Sequence, residues 1–305
     1  MKSIRIHSYG DSGEMKVEDS VRPRPNDEEV LVRIRAAGVN PVDWKIRAGQ
    51  MRQFIPKSFP FTLGQDLAGE IAETGKNATE FKAGDEVFGF GSGSYAEYAV
   101  ARQNEIALKP RSVDFTTAAA IPTACLTAYQ ALVDVAEVAK GQSVLIHGAA
   151  GGVGSFAVQI ARWKGARVVA TAAAEDASYL KGLGVEQVID YQSERFEDRA
   201  GNPDIVIDLI GGDTLNRSYS IVKKGGIIVS TVGQADQGKA AKTGARAVNI
   251  VMKRSSEELA EIAKLVDQGI VKPRMDKVLP IDEARRAHDL NQTGKTHGKV
   301  VLRVA

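Results

Sequence analysis

Residues 144–154 read Val-Leu-Ile-His-Gly-Ala-Ala-Gly-Gly-Val-Gly, and no other stretch of the chain restricts the fold as tightly. An apolar run suited to a buried strand enters a turn built only of Gly and Ala, and a helical pattern follows over 153–164. This strand–turn–helix order is the context in which a glycine turn cradles a dinucleotide. Ala149, Ala150, Gly151 and Gly152 let the backbone approach a pyrophosphate. Val153 opens the helix, and Gly154 lets it pack close to the sheet. The unpaired N–H groups of the helix N-terminus then face the anion. A plain strand–helix connection is the alternative, and the surrounding pattern argues against it.

That pattern alternates. Short apolar runs at 143–147, 167–171, 187–190, 204–210 and 226–231 are separated by helical segments at 153–164, 177–182 and 214–222. Such runs suit parallel strands covered on both faces, which predicts a doubly wound parallel sheet. A further strand is expected at 245–252. An amphipathic helix should follow at 256–268, with Ser255 or Ser256 as its N-cap and Gly269 at its end. A helix at 281–291 and a strand at 299–304 close the chain. The first part of the chain differs. Segments 29–36, 65–74, 85–90 and 94–101 read as strands, and a polar turn fills 75–84. Gly and Pro recur every ~10 residues there, which predicts a barrel or sandwich. An Ala- and Leu-rich helical stretch spans 115–139, with Pro122 as a kink or break.

A chain of 305 residues is long enough for two domains. Lys and Arg number 40 against 38 Asp and Glu, interspersed, so bulk charge gives no reason to expect nucleic acid or an anionic membrane. The one cysteine, Cys125, excludes an intrachain disulfide and a Cys-rich zinc site. No apolar run approaches the ~20 residues of a membrane span, and the N-terminus lacks a signal-peptide pattern, so a cytoplasmic location is expected. His7, His147, His288 and His297 have no ligand spacing. His147 is read as a packed, hydrogen-bonded side chain.

The choice of dinucleotide turns on the second strand. Its end carries Ala172, Ala173 and Ala174, with no carboxylate to bind a ribose 2′-hydroxyl. Glu175 and Asp176 follow, and no Arg or Lys is nearby for a 2′-phosphate. The balance favours NADPH, with NADH as the alternative.

Several ordered motifs now carry a resemblance: Ala36-Ala-Gly-Val-Asn-Pro-Val-Asp43, Gly64-Gln-Asp-Leu-Ala-Gly69, Gly84-Asp-Glu-Val-Phe-Gly89, Ala119-Ala-Ile-Pro122 with Leu126-Thr-Ala-Tyr129, the glycine turn, and Gly298-Lys-Val-Val-Leu302. Together they resemble the zinc-independent medium-chain dehydrogenases/reductases of the quinone oxidoreductase branch, over essentially the whole length. The resemblance implies an α/β chain with a GroES-like β-barrel catalytic domain (1–116 and 275–305) and a Rossmann domain (117–274). It implies a cleft between them and a homodimer joined edge to edge through the 245–252 strand. The activity it implies is zinc-free, NADPH-dependent hydride transfer to a quinone or an α,β-unsaturated carbonyl. Alcohol or enoyl-thioester reduction in the same family, and a non-catalytic cofactor-binding structural protein, are the alternatives. Zinc-dependent relatives place Cys after the Ala-Gly-Val stretch and His-Glu after the later Gly. This chain has Asn40 and Gln65-Asp66 there, and its third ligand position falls on Thr123. That set lacks the N and S donors zinc prefers.

Carried over by position, Asn40 and Lys45 are the side-chain candidates for stabilising the oxyanion, and Asp43 orients the loop rather than transferring a proton. Thr123 and Thr127 should lie near the cofactor, with Thr171, Ala172 and Ala173 at the second strand end. Tyr191 belongs on the adenine side, and Leu209, Ile210, Gly211, Val232 and Gly233 follow later strand ends. Trp44, Met51, Phe54 and Tyr95 are expected to line the substrate pocket. Tyr219 and Lys223 match the Tyr-x-x-x-Lys pair of short-chain dehydrogenases, but that family's glycine motif is absent, so the pair is set aside.

Overall fold

The computed structural model describes residues 1–233 and 235–304. Gln234 and Ala305, which fall in the expected 117–274 and 275–305 segments, lie outside the described residues. The chain forms two compact units.

The first comprises Met1–Ala124, Arg254–Gly269 and Pro273–Ala305. Its organising element is the eleven-residue strand Glu29–Val39, in which Val30, Leu31, Val32 and Ile34 are completely buried, so the half-buried alternation expected at 29–36 holds only from Val32 to Ala36. One side pairs antiparallel with Asp66–Thr74, and two register shifts bend the ladder. The other side pairs first with Tyr98–Arg102 and then with Lys299–Arg303. The C-terminal strand therefore completes a sheet begun near the N-terminus. Glu86–Phe90 and Ile106–Leu108 extend it on one side and Met275–Pro280 on the other. A three-stranded sheet of Lys16–Asp19, Lys2–Ile6 and Phe61–Thr62 packs Ile4, Ile6 and Met15 against Leu63, Tyr95, Val300 and Leu302.

The differences from expectation here have local causes. Lys2–Ile6 and Lys16–Asp19 are short and charge-interrupted, so no pattern announced them. Met275–Pro280 ends on a proline, which an edge strand tolerates. Only Tyr98–Arg102 of the expected 94–101 strand is regular, because Tyr95 and Ala96 leave to pair with Leu63 and Ser3 in the smaller sheet. The 115–139 stretch is not one helix. Phe115–Ala119 stops before Pro122, which opens a new helix, Pro122–Tyr129, followed by a π-helical turn, Gln130–Val135. Helix Ser256–Asp267 is capped by the Ser255 side chain, which accepts from Glu258 N–H. The 281–291 helix begins as a 3₁₀ turn and continues as Ala284–Gln292.

The second unit, Cys125–Lys253 with Ile270–Lys272, holds a six-stranded sheet. Its order is Gln187–Asp190, Arg167–Ala172, Ser143–His147, Ile205–Asp208, Ile227–Ser230, Arg246–Asn249, and every pair is parallel. The strand carrying the glycine turn lies centrally, where the winding direction reverses, the place at which doubly wound sheets bind ligands. Three strands are shorter than expected because residues after Asp208, Ser230 and Asn249 turn into loops. The helix expected at 214–222 is Gly212–Ser218, and Gln237–Lys242 adds one that no pattern announced. Arg246–Asn249 lies at a sheet edge. Cys125 is fully buried, and burial pushes its thiol well above the ordinary range. No helix among the described residues is long and apolar enough to cross a membrane.

Candidate functional site

In the barrel unit, strand Glu29–Val39 meets helix Pro41–Arg47 at Asn40. Proline at the first helical position pre-sets the turn. The Asn40 N–H donates to Asp43 Oδ2 at 2.8 Å, which closes the junction and buries both side chains. Asp43 Oδ2 also accepts from the Tyr95 hydroxyl at 3.1 Å, and Tyr95 meets His288 Nε2 at 3.3 Å. Arg47 closes this buried chain against His288 Nδ1 at 3.4 Å and Gln292 Oε1 at 3.1 Å. Burial pushes the Asp43 carboxyl up to about 7. Burial likewise drives His288 down to about 3.

Beside this chain stands a second buried group. Asp66 accepts from Thr123 twice, from its N–H at 3.2 Å and its hydroxyl at 2.5 Å. Lys299 Nζ donates to the Val39 carbonyl at 3.1 Å and to Asn40 Oδ1. Burial raises the Asp66 carboxyl and the Lys299 charge draws it back, while burial lowers Lys299 and the two aspartates hold it up. Asn40 and Asp66, far apart in the chain, thus stand beside one ammonium, and Thr123 joins them through Asp66.

Lys45 stands apart from this cluster. Its ammonium lies 5.6 Å from the Trp44 ring centre. A pocket of about 390 Å³ opens in the same unit, lined by Asp43, Ile46, Ile55, Lys57, Gln65 and Arg254 among others. None of Trp44, Met51, Phe54 or Tyr95 lines this pocket. Phe54 is 78% exposed, and Tyr95 is fully buried because its hydroxyl serves Asp43.

In the Rossmann-type unit, Gly148 takes a left-handed φ of 71° and starts the turn. A Cβ on Gly154 would stand 2.2 Å from the Gly148 carbonyl, so only glycine lets the helix sit this close. Ala149 and Ala150 are buried, and no side chain caps helix Gly152–Trp163, which begins one residue before Val153. At the same carboxyl edge of the sheet stand Thr171, Ala172 and Ala173, then Tyr191, then Leu209, Ile210 and Gly211, then Val232 and Gly233. Tyr191, Ile210 and Val232 are exposed apolar or aromatic side chains there. The Thr171 hydroxyl is engaged with His147 Nδ1 at 3.0 Å, and His147 Nε2 meets Ser218 Oγ at 3.1 Å. Burial lowers His147 to about 4 and leaves it neutral, a packed histidine as expected. Thr127 is buried in the same unit. Tyr219 and Lys223 point to separate partners, Asp236 N–H at 2.7 Å and Asp204 at 2.7 Å, and form no pair.

Residues 26–111 match the family described as "Alcohol dehydrogenase GroES-like domain", and residues 183–302 match "Zinc-binding dehydrogenase". The quinone oxidoreductase of Pongo abelii is 33% identical over 323 residues, covering 99% of this chain and 97% of that one. This chain belongs to the quinone oxidoreductase family of medium-chain dehydrogenases/reductases. The 2-methylene-furan-3-one reductase of Solanum lycopersicum is 34% identical, covering 99% of this chain and 79% of that one. Among solved structures, the Escherichia coli quinone oxidoreductase complexed with NADPH is 27% identical and superposes with a TM-score of 0.91, each chain covered in full. As in that family, the two units are a GroES-like barrel and a Rossmann sheet.

Membership of this family makes zinc a question for the barrel cluster. The residues present do not fit the metal. Asn40 Oδ1 accepts from a buried ammonium, Asp66 is held by Thr123, and the sulfur and imidazole donors that zinc prefers are missing. Among the described residues no group of three or more His, Cys, Asp or Glu is placed to hold a metal ion. The residues present fit a dinucleotide, because a Cβ built on Gly151 would meet nothing nearer than the Gly148 carbonyl at 3.4 Å and no side chain caps the helix beyond it. Sequence reasoning missed Lys299, which looked like an ordinary first residue of a terminal strand. Its signal was a lysine at a register position paired next to Val39, where the neighbours are buried.

Proposed function

We propose that this protein is an NADPH-dependent reductase that delivers a hydride to a quinone or an α,β-unsaturated carbonyl without a catalytic metal. One observation carries the metal-free part of this reading: at the positions of a zinc site, Asn40 Oδ1 accepts from the Lys299 ammonium and Asp66 accepts from Thr123. The cofactor part is supported by the glycine turn at the centre of the sheet and by the NADPH complex of the Escherichia coli relative. The substrate class is supported by the quinone and furanone reductases among the relatives.

Bound NADPH would supply the hydride. Gly151, Gly152 and Val153 would hold the pyrophosphate on their N–H groups. Thr127 and the loops at 209–211 and 232–233 would flank the nicotinamide half, and Thr171–Ala173 and Tyr191 the adenosine half. Asp176 is buried and Glu175 lies beyond the strand end, so the Ala172–Ala173 floor stays uncharged. That favours a 2′-phosphate over a bare ribose hydroxyl. As hydride arrives, negative charge grows on the substrate oxygen, and positive groups must meet it. Lys45 serves this role, since it makes no ion pair among the described residues, together with the amide of Asn40. Asp43 holds the Asn40–Pro41 junction by accepting its N–H. We place the protein in the cytoplasm as a homodimer. The open edge at Arg246–Asn249 and the 85% exposed Val251 beside it support that assembly.

The test is fluorescence titration of chelator-dialysed protein with NADPH and with NADH, followed by quinone- and enone-dependent NADPH oxidation. Tighter NADPH binding and turnover unchanged by chelation are expected. Preference for NADH would overturn the cofactor choice. Activity lost on chelation and restored by zinc would overturn the metal-free mechanism. Binding of neither nucleotide would mark the protein as non-catalytic.

A further inference from the structure

Asp208 ends the strand next to the glycine-turn strand and is fully buried, in register between His147 and Ser230. A carboxylate in the centre of an apolar sheet is costly unless every oxygen finds a donor. Here both do. Oδ1 accepts the backbone N–H of Ile210 at 3.2 Å and of Gly211 at 2.9 Å. Oδ2 accepts the Ser230 hydroxyl at 2.7 Å, and Ser230 Oγ in turn accepts the N–H of Gly233 at 3.0 Å. One side chain therefore ties down two loops that leave two different strands. The loops also lie close together, since a Cβ added to Gly211 would lie 3.5 Å from the Gly233 Cα. The left-handed φ of 78° at Gly211 makes that approach possible. What this arrangement holds in place is a pair of exposed apolar side chains. Ile210 and Val232 are 57% and 52% exposed, on loops at the ligand-binding edge of the sheet.

We infer that Asp208 is a positioning residue, which with Ser230 fixes the 209–211 and 232–233 loops as one pre-formed apolar wall for the nicotinamide half of the cofactor. The inference rests on the cofactor reading above and adds the device that sets the geometry. Each loop alone would sample several conformations, and the cofactor would have to order both on binding. A single shared carboxylate makes that ordering part of the folded state. The chemistry also dictates how it fails. An asparagine at 208 can accept on one side only. If its oxygen keeps the Ile210 and Gly211 N–H groups, its NH2 faces Ser230 Oγ, which must turn its own proton elsewhere. The Gly233 tie is then weakened while the first loop stays held.

The test compares wild type, D208N and S230A for NADPH affinity by fluorescence titration, for kcat and KM with a simple quinone, and for thermal stability. In D208N the NADPH Kd should rise about threefold, and in S230A, which removes the Gly233 tie outright, about tenfold, with kcat at saturating NADPH nearly unchanged. The double variant should bind NADPH no more weakly than S230A, because both changes act on the same link. A D208N protein that melts cooperatively and binds NADPH like wild type would overturn the inference alone. If D208N does not fold, S230A decides: a raised Kd at unchanged stability supports the clamp, and an unchanged Kd overturns it. Failure of the wild type itself to bind NADPH would overturn the cofactor reading and the inference with it.

Discussion

Lys299 Nζ donates to both the main-chain carbonyl of Val39 and the side-chain oxygen of Asn40, at the point where a strand becomes a helix. A buried ammonium there joins the last strand of the chain to the residue that opens helix Pro41–Arg47. Its positive charge also acts on two buried aspartates, Asp43 and Asp66.

Replacing Lys299 by Met removes that charge and leaves Asp66 buried beside Asp43 with no cation to offset it. Stripping one partner from a buried charge cluster costs about 3–5 kcal/mol. K299M should therefore show a lowered urea midpoint with an unchanged m-value. The double variant D66N/K299M should recover part of the loss, since the uncompensated carboxylate is gone. A double variant no more stable than K299M would show that Lys299 acts by packing and not by charge.

Asp43 makes a pH prediction with a definite sign. Its folded value of about 7 lies above the ordinary 3.8, chiefly through burial, with Asp66 adding to the rise and Tyr95, Lys299 and the Asn40 N–H opposing it. Between those two values the folded protein holds a proton that the unfolded chain releases. Stability from this group therefore falls as pH rises across that window and levels off above it, by on the order of a few kcal/mol. His147 and His288 work the other way, because their depressed values make the protein lose stability as pH falls below 6.5. The contribution of Asp43 is isolated by subtracting the stability of D43N from that of wild type at each pH. The difference should decline from pH 4 to 7. A flat difference would refute the assignment.

The glycine turn separates folding from binding at two neighbouring positions. Alanine at 154 would drive its Cβ to 2.2 Å from the Gly148 carbonyl, so G154A should lose roughly 2–4 kcal/mol of stability as helix and turn separate. Alanine at 151 meets nothing closer than 3.4 Å, and its backbone is ordinary, with φ −75°. G151A should melt like wild type and still bind NADPH at least tenfold more weakly, because its methyl group fills the space a pyrophosphate needs. Calorimetry paired with a binding titration distinguishes the two. Equal effects of both substitutions on stability would count against the turn as a cradle.

How far the sequence could be read follows the span of each interaction. The glycine turn, its strand and its helix lie within about one supersecondary unit, so periodicity and composition placed them nearly to the residue. The alternating strands of the parallel sheet were equally local. Asn40 donates from its backbone to Asp43 only three positions away, yet no sequence pattern announced helix Pro41–Arg47. The Lys299–Asn40 contact spans 259 positions and the His288–Tyr95 contact 193, and no pattern within one segment encodes either. Tyr95 was accordingly read as a pocket residue when it is a buried hydroxyl partner. Asp208 looked like one more residue of an apolar strand, because the donors that satisfy it come from loops whose course only the fold determines.

The burial of Cys125 bears on the chemistry proposed for this protein. Quinones and enones are soft electrophiles that add to thiolates, and a thiolate is the reactive form of cysteine. The chain's single sulfhydryl is wholly enclosed and held as the protonated thiol. A catalyst made this way can pass many equivalents of an alkylating substrate across its surface without inactivating itself. It also leaves the exterior free of native thiols, so a cysteine introduced at any exposed position becomes the one place a label can attach.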